Sequence, residues 1–76
     1  NEDIALGFIQ DSFAITATSH MEADIEAYAA NGRSLQQWRV PLRPDQPWRP
    51  TEMPKGTAAI EVRDKQTGEV LLRWPQ

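Results

Sequence analysis

The stretch "SHMEADIEAYAANG", residues 19–32, decides the fold, because an amphipathic helix there needs a sheet to cover. Read locally, it carries helix signals. Ser19 precedes Glu22 by three residues, the capping-box spacing in which each side chain satisfies the other's backbone amide. Met21, Ile25, Tyr28 and Ala29 then fall at i, i+4, i+7 and i+8, with Glu22, Asp24 and Glu26 off that stripe. Glu22 and Asp24 would sit in the first turns, where the helix dipole favours negative charge, and Asn31-Gly32 would end the helix in a left-handed cap. The spacing predicts an amphipathic helix over residues 20–31.

On either side the pattern is extended. In "SFAITAT", residues 12–18, Phe13, Ile15 and Ala17 alternate with Ser12, Ala14, Thr16 and Thr18, which predicts a strand with one buried face. "RSLQQWRV", residues 33–40, fits both periods: Leu35 and Trp38 share a helical face, and Gln36, Trp38 and Val40 share a strand face. The prolines that follow disfavour helix before them, so a short strand over 36–40 is expected.

The C-terminal run "AAIEVRDKQTGEVLLRWP" carries two alternating segments around Gln66-Thr67-Gly68, predicting a hairpin over 58–74. Parity sets its register, because Ile60 and Val62 must share a face with Val70, Leu72 and Trp74. A three-residue loop with Gly68 in the left-handed position pairs Val62 with Leu72 and Ile60 with Trp74, and sets Glu61 across from Arg73. A four-residue loop would put Ile60 opposite Arg73 and is rejected on that ground. The "TGEV" turn recurs in many unrelated chains and marks a turn, not a lineage.

"PLRPDQPWRP", residues 41–50, places prolines at 41, 44, 47 and 50. Each fixes its own φ and extends the residue before it, so the local preference is polyproline II, and ten residues would span ~30 Å. Residues 41–56 are therefore expected to form a strap across the body, with Trp48 and Leu42 covering core. Two other uses compete with the strap. Pro44, Pro47 and Arg49 match a PxxPx+ ligand pattern, and Trp38 and Trp48 with Arg33, Arg39, Arg43 and Arg49 could stack on bases and meet phosphates.

Together the elements predict an α+β fold in one domain over residues 1–76: a small, mainly antiparallel sheet of about four strands, ending in a C-terminal β-hairpin, with one amphipathic helix on one face. Ser19-His20-Met21 also resembles a tag-cleavage junction, which would make residues 1–20 foreign; the alternation from Phe13 to Thr18 argues against that.

Composition narrows the function classes. Seventy-six residues bury only about 60 % of the unfolded surface, so the three tryptophans, two phenylalanines and one tyrosine are the expected core. There is no cysteine, which excludes disulfides and thiolate metal sites and leans towards a reducing, cytoplasmic setting. No apolar run approaches the ~18 residues of a membrane-spanning helix, so no membrane association is expected. The net charge of −3 hides an asymmetry: residues 1–32 carry six acids and no Lys or Arg, whereas residues 33–49 carry four arginines against Asp45. An acidic pI of about 4.9 argues against nucleic acid as the partner.

No catalytic signature is present. His20 is the single histidine, and Asp24, one helical turn further on, could share a metal with it, but a stable site needs three or more ligands. Ser12, Ser19 and Ser34 lack a nucleophile motif, and the four glycines are scattered, so no phosphate-cradling loop exists. The expectation is a non-enzymatic protein-interaction or accessory domain with no metal and no cofactor, binding a protein partner or a second copy of itself. Its binding residues would be Trp38, Arg39, Arg43, Trp48 and Arg49, or else an exposed sheet edge would serve. A small nucleic-acid-binding module is the alternative.

Overall fold

Residues 21–28 form a strand, not a helix. The computed structural model describes residues 3–75, and among them no residue is helical. The six strands are β1 (Ile4–Ile9), β2 (Ser12–Ala17), β3 (Met21–Tyr28), β4 (Ser34–Leu42), β5 (Ala59–Asp64) and β6 (Val70–Trp74). They make two antiparallel sheets, a β1-β2 hairpin and a four-stranded sheet in the order β4-β3-β5-β6. The expected α+β architecture with one covering helix is thus replaced by an all-β one.

The reason lies in a second period within the same residues. Met21, Ala23, Ile25 and Ala27 alternate strictly with Glu22, Asp24 and Glu26, and a strand turns the first set inwards, with Ala23, Ile25 and Ala27 fully buried. A helix would have buried Met21 and Ile25 but left Ala23 and Ala27 off the stripe. As a strand, the segment also gains a neighbour on each side, β4 and β5, so the backbone groups on both of its edges find partners. Two of the acids are then matched across strands: Arg39 Nε lies 2.7 Å from Asp24, and Lys65 Nζ 3.1 Å from Glu22.

β1 has no counterpart among the expected elements. Its sequence, IALGFI, is nearly all apolar and contains Gly7, so it lacks the alternation that marked β2. It pairs with β2 from Ile4↔Ala17 to Ile9↔Ser12 through a two-residue turn in which Gln10 has φ +57°. Residues 4–17 are integral to the packing, since Phe13 and Ile15 are completely buried.

The core lies between the sheets. Phe13 and Ile15 of β2 meet Ile25 of β3, Leu42 of β4, and Ile60 and Val62 of β5. β1 lies along β6, with Phe8 and Trp74 edge-to-face at 5.0 Å.

The C-terminal hairpin keeps the expected central pairs, Ile60↔Trp74, Glu61↔Arg73 and Val62↔Leu72. Its turn differs. Gly68, at φ +76°, donates to Asp64 O at 2.8 Å and Asp64 donates to Glu69 O at 2.9 Å, so four residues, 65–68, make the loop. A β-bulge between Val62 and Arg63 absorbs the one-residue offset by leaving Leu71 without an opposite number. Leu71 therefore turns into the core, and Val70, expected on the buried face, is exposed.

The proline segment is not a straight polyproline II run. β4 continues through Pro41 to Leu42, beyond the expected limits of 36–40. Arg43-Pro44-Asp45-Gln46 then folds back as a turn, with Gln46 N–H donating to Arg43 O at 3.3 Å. Trp48 pairs with Ile15 by two backbone hydrogen bonds of 2.9 Å, adding a third, one-residue strand to the β1-β2 sheet. Pro50 is buried.

Candidate protein-interaction edge

A proline inside β4 is permitted only if its missing N–H faces away from β3, and the hydrogen bonds show that it does. Lys65 N–H donates to Glu22 O at 3.1 Å and Ala58 N–H to Tyr28 O at 2.7 Å, both on the β5 side of β3. Backbone groups alternate sides along a strand, so the even-numbered residues of β3 point to β5 and the odd-numbered ones to β4. The pairs Ala23↔Val40, Ile25↔Trp38 and Ala27↔Gln36 therefore carry the β3–β4 hydrogen bonds, whereas Glu22↔Pro41, Asp24↔Arg39 and Glu26↔Gln37 do not. Pro41 costs the ladder nothing.

The same parity leaves the backbone N–H and C=O of Gln37 and Arg39, and the C=O of Pro41, pointing off the sheet. β4 is a terminal strand of the four-stranded sheet, and no strand among the described residues pairs with its outer side. The other terminal strand, β6, lies against β1. At its C-terminal end the β4 edge meets an open cleft of ≈ 290 Å³ lined by Val40, Pro41, Arg43, Gln46, Pro47 and Trp48.

The structure separates the five residues expected to bind. Trp38 and Trp48 come together with ring centroids 5.5 Å apart at 65°, and each lies 5.9 Å from Phe13. Both are half-buried, and these inclined contacts commit part of each ring to the core. Arg39 is on the opposite face of β4, held by Asp24. Arg43 and Arg49 are exposed on the strap and Arg33 on the β3–β4 turn. Gln37 and Pro41 were missed, although the odd-numbered series 37, 39, 41 was legible once β4 was known to be an edge.

Electrostatics on the outer face are local. The Arg39 hydrogen bond holds the Asp24 carboxyl below its ordinary value and raises the guanidinium's own, while burial opposes both. Ser34 is the main influence lowering Glu26, with Tyr28, whose hydroxyl donates to it at 2.8 Å, and Gln37 adding to it. The Tyr28 hydroxyl is raised in return by that bond.

His20 and Asp24, proposed as neighbours on a helix, are four strand residues apart, ~13 Å along β3. His20 instead borders a polar cleft of ≈ 540 Å³ with Glu22, Asp64, Lys65 and Glu69. Among the described residues no three carboxylates and histidines converge to hold a metal ion.

No family model, no curated protein and no solved structure matches this chain.

Proposed function

We propose that this chain is a non-enzymatic protein-interaction module that receives an extended segment of another protein by strand addition along the outer edge of β4. The observation that supports this reading is the row of outward backbone groups on Gln37, Arg39 and Pro41, which has the hydrogen-bonding pattern of a strand awaiting a neighbour. The cleft beside Trp48, at the end of that row, would take a side chain of the incoming segment. The inclined packing of Trp38 and Trp48 favours this over base stacking, since each ring is partly spent on the core.

The test exploits the parity of β4. Gln37→Pro removes an outward N–H and leaves the β3 ladder whole, so the fold should persist; Gln36→Pro removes an inward N–H and should unfold the chain. With an alternating Thr-Val octapeptide as probe, the ¹⁵N–¹H signals of Gln37 and Arg39 should move in the unaltered protein, and that of Arg39 should stay in place in Gln37→Pro. Shifts that survive Gln37→Pro, or that centre elsewhere, would sink the proposal.

A further inference from the structure

We infer, resting on the strand-addition reading, that the segment received along β4 is acidic at its ends, with carboxylates that meet Arg33 at the start of the strand and Arg43 and Arg49 beyond its finish. Four of the eight cations are ion-paired within the molecule: Arg39 with Asp24, Arg63 and Arg73 with Glu61, and Lys65 with Glu22. Arg33, Arg43 and Arg49 make no ion pair among the described residues, and all three are exposed; Lys55, in the loop before β5, is the remaining cation. Exposed arginines without an ion pair thus precede and follow β4, whose outer edge no described strand pairs, in a chain whose net charge is −3.

That arrangement also selects against a second copy. Two β4 edges paired antiparallel about Trp38, the fullest overlap, would set Arg33 of one copy against Arg43 of the other and Gln37 against Arg39, at both ends of the joint strand. Like charges placed directly opposite are destabilising, and Pro41 adds a position with no donor. An acidic extended segment reverses the sign of the terminal contacts and keeps the central hydrogen bonds. Arg43 can take a carboxylate in a bidentate geometry at the mouth of the Trp48 cleft.

The experiment compares two probes on the intact chain: the Thr-Val octapeptide carrying two aspartates at each end, and the same peptide carrying two lysines at each end. The aspartate form should bind at least about tenfold more tightly, the sum of a few exposed charge contacts, and added salt should narrow the gap. Arg43→Glu with Arg49→Glu should invert the preference without changing the circular dichroism. Equal affinity for both peptides, with Gln37 and Arg39 still shifting, would overturn the acidic-partner inference and leave strand addition standing. No shift at those amides with either peptide would overturn strand addition itself. A concentration-dependent dimer perturbing Gln37 and Arg39 without peptide would overturn the acidic-partner inference in favour of self-pairing.

Discussion

Glu26 and Glu61 stand directly across from one another on β3 and β5, two carboxylates in register. The arrangement is tolerated because Arg63 Nε lies 2.7 Å from one oxygen of Glu61 and an Arg73 guanidinium nitrogen 2.7 Å from the other. Glu61 is almost completely buried, whereas the arginines keep 46 % and 64 % of their side chains exposed. Solvent therefore screens each contact, and Arg63→Ala or Arg73→Ala alone should cost only about 1 kcal/mol. The double variant should lose more than the sum, because it leaves a buried carboxylate facing another with no counter-charge. Urea denaturation of the cycle checks this, and Glu61→Gln should recover part of the double variant's loss.

Stability should fall at both ends of the pH scale. Asp24 and Glu26 titrate below their ordinary values of 3.8 and 4.5 in the folded chain, so each contributes stability above those values that is lost as pH drops through its lowered one. Tyr28 is raised above 10.0, so its contribution is complete below that pH and is lost as pH climbs through the raised value. Thermal melts from pH 2 to 11 should show an acid limb that Asp24→Asn with Glu26→Gln makes shallower, and an alkaline limb that Tyr28→Phe makes shallower.

Trp48 fastens the strap through its pairing with Ile15 and its ring contacts with Phe13 and Trp38. Trp48→Ala should cost about 2–4 kcal/mol, reduced from the full figure for a buried tryptophan because the ring is only half-buried. In the unaltered protein, ¹⁵N–¹H heteronuclear NOEs at Arg43, Asp45, Gln46, Trp48 and Arg49 should match those of the β5-β6 hairpin. In Trp48→Ala they should drop, while those of β5 and β6 hold.

Gln10 occupies the left-handed region at φ +57° in the β1-β2 turn, which favours glycine. Gln10→Gly relieves backbone strain at an exposed site and should raise stability by about 0.5–1 kcal/mol. A rise in Tm read by circular dichroism checks it, and Gln10→Val should lower Tm.

Much of the sheet was legible in the chain. β2 shows as an alternation from Phe13 to Ala17, and the β5-β6 pairs follow from parity joined to the charge match of Glu61 and Arg73. The candidate edge was legible only in part. Its arginines and tryptophans stood out by composition, but which backbone groups face outwards depends on β4 being the last strand of a sheet, and that is a property of the assembled chain. The bulge at Leu71 escaped notice for a related reason, since it reconciles a four-residue turn with the buried face of β5, two demands that meet only on folding.

β3 shows where local pattern ends. A spacing of four, as between Met21 and Ile25, is two strand periods and also close to one helical turn, so both readings draw on the same residues. Alternating hydrophobicity, charge asymmetry and turn residues are encoded locally, and they specified extended segments on both sides of β3. The choice at β3 fell to tertiary structure: only with β4 and β5 on its two edges are its backbone groups satisfied, Asp24 and Glu22 matched by Arg39 and Lys65, and Ala23 and Ala27 buried.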